Sequence, residues 1–265
     1  MTTGGASLKR STRMVLGVSG VAAFLLLWES VPRMGLIDER YLPAASEVLL
    51  RLFGYLGQAS FWGDVGHTMM AWAIGLAISI SSALVLGFTI GSNEFLRSAT
   101  RSTIEFLRPI PSVAFIPIAV LIFGVEIESS LLLIIYASFW PVLIQTLYGI
   151  ADVDPVARST ASSYQLGWLA EARHVVWPTA LPYIMTGIRL SAAIALILAI
   201  VAELIIGSPG LGKQIALTQS GGAIREMYAL IVATGMIGVA VNMVVRRVER
   251  RVLAWHISVR RELAP

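Results

Sequence analysis

The chain contains no cysteine, which excludes a disulfide frame and a thiolate metal site. It is also poor in charge: 14% of its 265 residues are Asp, Glu, Lys or Arg, against about 25% in a soluble domain. With 56% hydrophobic residues and a mean hydropathy of +0.77, that shortage points to the membrane. Histidine is scarce. His67, His174 and His256 are far apart and share no His-x-x-x-His spacing, so no metal site is expected. A Gly-x-x-x-x-Gly-Lys-Ser/Thr phosphate loop is missing. Gly210-Leu-Gly212-Lys213 lacks the first glycine and the hydroxyl residue of that motif and is expected to be a turn. No catalytic set and no low-complexity segment is visible. Nor is there an internal repeat of the kind that marks many secondary transporters. The net charge of +4 is small, and its placement bears on membrane orientation rather than on nucleic acid.

What the chain does have is apolar runs of the length a spanning helix needs, about 20 residues. They fall at 14–31, 65–91, 129–149, 181–206 and 227–245, with a shorter run at 108–124 broken by Pro109, Pro111 and Pro117. These prolines would break a soluble helix, but neighbouring helices in a membrane bundle can satisfy the freed carbonyls. The expectation is an all-α polytopic protein of six transmembrane helices: an N-terminal segment 1–13, a transmembrane domain 14–245 and a basic tail 246–265. Lys9, Arg10 and Arg13 precede the first run, yet no small-residue cleavage site follows it, so an uncleaved first span is expected. The amphipathic run 46–56 is expected to lie along the surface.

Orientation follows from Lys and Arg. With both termini inside, the inner segments carry Lys9, Arg10, Arg13, Arg97, Arg101, Arg108, Arg158, Arg173, Arg246, Arg247, Arg250, Arg251, Arg260 and Arg261, whereas the outer ones carry only Arg33, Arg40, Arg51, Lys213 and Arg225. This places the polar loop 150–180 in the cytoplasm.

That loop has helix punctuation. Asp154 is a cap and Pro155 a first helical residue, which predicts a helix over 155–163. Gly167 breaks it, and a second helix over 168–176 is expected to end at Pro178. The tip carries Tyr164, Leu166 and Trp168, apolar residues with no reason to face water unless a partner's groove receives them. The alternative is that the loop folds back on its own bundle. Within the spans, Glu203 and Arg189 are costly unless hydrated or paired. Glu203 lines the pathway near an outer gate or reaches the headgroups at the interface. Arg189 attracts an anion, or snorkels to the inner interface or pairs with a backbone carbonyl. Ser138, Trp140, Gln145 and Thr146 are polar positions suited to a central pathway.

The blocks Leu107-Arg-Pro-Ile-Pro-Ser-Val-Ala-Phe-Ile-Pro117, Leu147-Tyr-Gly-Ile-Ala-Asp-Val-Asp154, Arg173-His-Val-Val-Trp-Pro-Thr-Ala-Leu-Pro-Tyr-Ile184 and Ala202-Glu-Leu204 with Gly210-Leu-Gly212 resemble, in order and spacing over about residues 60–245, the permease subunits of bacterial ABC importers of the sulfonate/nitrate/taurine group. The family's coupling loop reads Glu-Ala-Ala, three residues, then Gly. Here Ser159-Thr160-Ala161 stand at the first three positions and Gln165 at the glycine, so only Ala161 matches. The resemblance implies a type I importer permease in the bacterial inner membrane, binding no cofactor and hydrolysing nothing. It implies a homodimer with the pathway at its two-fold axis, two ATPase subunits that use ATP and Mg, and an extracytoplasmic solute-binding protein. It makes Ala161, Ser162, Tyr164, Gln165, Leu166, Gly167, Trp168, Glu171 and Arg173 the ATPase contact. Ser138, Gln145, Arg189 and Glu203 become pathway candidates, for a small anionic or aromatic solute. The alternative is a stand-alone ion-coupled transporter or channel.

Overall fold

The structure, a computed structural model, describes residues 10–255. Lys9, His256, Arg260 and Arg261, which entered the readings above, lie outside the described residues. Every regular element among the described residues is helical: α1 (Arg10–Arg33), α2 (Ala45–Leu56), α3 (Ala59–Gly91), α4 (Glu94–Leu107), a 3-10 turn (Ser112–Phe115), α5 (Ile116–Phe123), α6 (Ile127–Ala151), α7 (Pro155–Ser163), α8 (Trp168–Glu171), a π turn (Ala172–Val176), α9 (Trp177–Ile206), α10 (Leu211–Ser220) and α11 (Ile224–Val252). Five of these helical stretches are long and apolar enough to cross a membrane. The count becomes six if α4 and the Ser112–Phe123 segment, bent by 80°, form one broken span. The bend falls in the proline-rich run. Pro109 and Pro111 cannot continue a helix, while Tyr136 donates from its hydroxyl to the Leu107 carbonyl at 2.6 Å and so satisfies one backbone group freed there.

The described residues group into two compact units, one formed by 10–58 with 217–233 and the other by 59–216 with 234–255. In the first, Glu29 accepts from the backbone amide and hydroxyl of Ser46, both at 2.9 Å, and pairs with Arg33, anchoring the start of α2. Arg225 reaches Glu47 at 2.6 Å, and Arg51 lies 3.4 Å from Glu226.

The second unit is built on α3, α6 and α9. Its core joins Ala71, Leu133, Ile134, Ala195 and Ala199. With lipid as solvent, close van der Waals contact rather than water exclusion drives helix association, and small residues permit it. A Cβ on Gly149 of α6 would lie 2.8 Å from the Ala180 Cα of α9, and one on Gly187 of α9 would lie 2.9 Å from the Pro141 carbonyl oxygen. Hydroxyls cross the same contacts. Ser79 meets Ser138 at 2.8 Å, and Ser191 donates to the Ser138 carbonyl at 2.5 Å. Buried polar side chains thus tie the three helices, each with a partner that lipid would not supply.

Candidate functional site

The loop that joins α6 to α9 is ordered by backbone chemistry. Asp154 accepts from the Val156 amide at 2.8 Å, and Pro155 opens α7, as its sequence predicts. The other end of α7 closes with the Leu166 amide donating to the Ala161 carbonyl at 3.0 Å and the Gln165 amide to the Ser162 carbonyl at 2.9 Å. These are the two bonds of a Schellman motif, whose first residue past the cap is left-handed and favours glycine. Gln165 fills it with φ 54°, the one positive-φ residue other than glycine among the described residues. The conformation costs a non-glycine residue about 1 kcal/mol or more. Gln165→Gly is therefore expected to stabilise the protein by about 0.5–1 kcal/mol after glycine's own chain entropy is counted. A thermal unfolding series on purified protein checks this, and a lowered midpoint would contradict it.

The tip is apolar and open. Tyr164, Trp168 and Leu169 are 79%, 73% and 72% exposed, and Leu166 is exposed as well. Ser162, Gly167 and Arg173 are also exposed, Glu171 is half-buried, and Ala161 alone of the expected contact residues is buried. Beside the tip runs a groove of about 960 Å³ bordered by Phe88, Leu96, Trp168, Leu169, Arg173 and Trp177. Phe88 stacks on Trp177 with centroids 5.4 Å apart. The loop packs back on the bundle at its base, where Val153 and Val176 join Ile150, Ala180 and Ile184, and Arg158 donates to the Ile150 carbonyl at 3.2 Å.

One expectation is corrected. The second helix does not end at Pro178: the candidate span runs unbroken from Trp168 to Ile206. A proline inside an α-helix collides with the carbonyl four residues back. Here the backbone opens into a π turn just before it, and the Trp177 amide bonds to Ala172, five residues back. The wider turn makes room for the Pro178 ring at the start of α9.

The four pathway candidates fall in four different places. Gln145 borders a cavity of about 350 Å³ that also meets Arg108, Ser112, Tyr136 and Trp140. Arg189 is turned to Glu249, 3.4 Å away, a side-chain partner rather than a backbone carbonyl. Ser138 is buried within the helix contacts. Glu203 is 1% exposed, so in this structure it faces neither a pathway nor headgroups. Its Oε2 accepts from Thr68 Oγ1 and from the Gly212 amide, both at 2.9 Å, and Thr68 Oγ1 accepts from the Leu211 amide at 3.0 Å. Protein donors replace the water that sequence reasoning assigned to this carboxylate. Thr68 lies 135 residues away in the chain, which no local pattern signals. Arg108 enters the sequence argument as a topological charge and within the Leu107–Pro117 block. Its place at a proline-rich break followed by aromatic residues was the signal that it sits at a cavity.

The described residues thus form a helical bundle with five or six candidate spans and a structured apolar loop tip. The chain belongs to the family described as binding-protein-dependent transport system inner membrane component, which matches residues 83–254. It is a multi-pass inner-membrane permease subunit of an ABC importer, and ATP is used by a separate ATPase subunit. This sets aside the stand-alone transporter. The chain is 28% identical over 254 residues to the taurine transport system permease protein TauC of Escherichia coli, covering 93% of this chain and 91% of that one. It is 24% identical over 196 residues to the nitrate import permease protein NrtB of Leptolyngbya laminosa, covering 74% of this chain and 70% of that one. In structure it is similar to a chain of the MetNI methionine ABC transporter in inward-facing conformations. The TM-score is 0.62 at 15% identity, over 73% of this chain and 96% of that chain, which shows the fold.

Proposed function

We propose that two copies of this chain form the translocation pathway of an importer for a small anionic solute, and that residues 155–178 transmit ATP-driven motion to it. The observation that carries this reading is the exposed apolar tip of Tyr164, Leu166, Trp168 and Leu169. It is held on a capped helix and a hydrogen-bonded turn, so it is a rigid knob and not a loose loop. Such a knob suits insertion into a groove on a soluble partner, and its charge flank, Glu171 and Arg173, suits fixing its register. The relatives named for taurine and nitrate support a solute that carries an oxyanion group. Of the pathway candidates, Gln145 keeps its place at a cavity. Ser138 and Glu203 act on the pathway through the packing of α3, α6 and α9.

The positive-inside count puts both termini and this loop in the cytoplasm. Two measurements test the reading together. A reporter fused after Pro265 is expected to be active only on the cytoplasmic side. The purified assembly with ATPase and solute-binding protein is expected to hydrolyse ATP faster when liganded binding protein is added. An outward reporter would invert the loop and remove the coupling role.

A further inference from the structure

We propose that the cavity of about 350 Å³ bordered by Arg108, Ser112, Tyr136, Trp140 and Gln145 is a subsite for the oxyanion of the transported solute, with Arg108 as its charge and the Trp140 indole as a neutral donor. The proposal rests on the importer reading above, because only an importer passes a solute through this bundle.

The chemistry of the walls is one-sided. Among the described residues Arg108 is the only charged one that borders the cavity, and no Asp or Glu does. Among the described residues its guanidinium is in none of the ion pairs, and its backbone amide alone is engaged, with the Ile104 carbonyl. It is thus a free, planar set of donors, which matches a sulfonate, carboxylate or nitrate through two oxygens at once. Trp140 Nε1 is buried without a partner. A desolvated N–H is costly to leave unmet, and a small turn of the indole, whose ring borders the cavity, would bring it to an anion oxygen there. Tyr136 does not compete for the anion, since its hydroxyl is spent on the Leu107 carbonyl. Its ring instead stands edge-on to Trp140 with centroids 5.8 Å apart. With Ile144, Leu190 and Ile194 these rings make an apolar wall for a hydrocarbon or aromatic tail. The volume lies at the small end of the range of about 300–1,000 Å³ for ligand sites, so a compact organic anion fits.

Arg189, the other candidate charge for this task, is paired with Glu249. Arg108 also sits where the α4 arm and the Ser112–Phe123 arm meet at 80°, while Trp140 is on α6. Any change in that bend separates charge from indole and weakens the hold on the anion. A competing oxyanion is a lipid phosphate, because Arg97, Arg101 and Arg108 border a second cavity of about 590 Å³.

The full complex with its ATPase and binding protein, labelled with 5-fluorotryptophan and embedded in phosphatidylcholine nanodiscs, separates these cases. The Trp140 fluorine resonance, assigned by its loss in Trp140→Phe, is followed during titration with methanesulfonate and, separately, with methylammonium. The expected result is a saturable shift with methanesulfonate only, an affinity at least about tenfold weaker in Arg108→Gln, and a smaller loss in Arg108→Lys. Both variants are expected to keep the thermal midpoint of the parent, as the side chain is exposed. An unshifted resonance, an equal response to methylammonium, or an unchanged affinity in Arg108→Gln would overturn the subsite. So would a resonance that moves only when phosphatidylglycerol enters the bilayer, which would assign the cavity to lipid. Failure of the importer reading shows separately, as ATP hydrolysis that binding protein does not stimulate.

Discussion

Trp168→Asp is expected to leave the folded permease in the membrane at its normal level while lowering ATP-coupled uptake at least about tenfold. The side chain is 73% exposed, so its loss removes almost nothing from the bundle. It is the first helical residue after the Gly167 cap of α8, where a carboxylate is favourable to the helix dipole, so the loop should keep its shape. What changes is the face offered to the partner. A central aromatic anchor of an interface is worth about 2 kcal/mol or more, and placing an unpaired charge in its groove adds a desolvation cost. Leu166→Asp should act in the same direction with a smaller margin, because Leu166 is also part of the turn that closes α7. Uptake and ATP hydrolysis measured on the same proteoliposomes check this. If both variants transport at the parental rate, the tip is not the contact.

Gly212→Val is expected to produce the largest loss of folded protein. A Cβ at this position would strike the Ile200 carbonyl oxygen and would lie 2.7 Å from the Glu203 Cβ and 2.8 Å from the Leu204 amide nitrogen. Two of these are backbone atoms of α9 and cannot swing aside. The start of α10 would have to lift away, taking the Gly212 amide from Glu203 and the Leu211 amide from Thr68. Overpacking alone costs about 1–3 kcal/mol, and each stranded buried group adds about 1–3 kcal/mol, enough to unfold a marginal domain. Glu203→Ala is expected to lose less, about 2–4 kcal/mol for the cavity and the orphaned amide. Glu203→Gln should be close to neutral. It keeps an acceptor for Thr68 and Gly212 and removes the ionisable carboxylate, while its amide nitrogen takes the unpartnered place of Oε1. Size-exclusion profiles and thermal midpoints of the three variants, ranked in that order, check the account. A stable Gly212→Val would contradict it.

The parts of this fold written in local chemistry were legible in the sequence. Hydropathy marks the spans, because the bilayer sets their length. Asp154 and Pro155 mark the start of α7, because a cap acts within one turn. What was not legible depends on residues distant in the chain. Glu203 looked as if it needed water because Thr68 and the α10 amides are invisible from its neighbours. Arg189 looked available for an anion because Glu249 is 60 positions away. Pro178 looked like a helix end because the π turn that accommodates it has no residue signature of its own. The degenerate Ser159-Thr160-Ala161 and Gln165 hid how regular the turn is: its two backbone bonds form regardless of the side chains, and Gln165 bears the left-handed backbone that the family gives to glycine.

The absence of native cysteine makes one measurement unusually clean. Single Tyr164→Cys, Leu166→Cys and Trp168→Cys variants, each the sole thiol in the chain, can be treated with a short thiol crosslinker in membranes holding the complete importer, with and without ATP. The account predicts a crosslink from these positions to an ATPase subunit, changed in yield by ATP, and none from a control cysteine at Tyr41 in the segment before α2. Crosslinks that reach only the permease itself or the solute-binding protein, with the ATPase untouched, would contradict it.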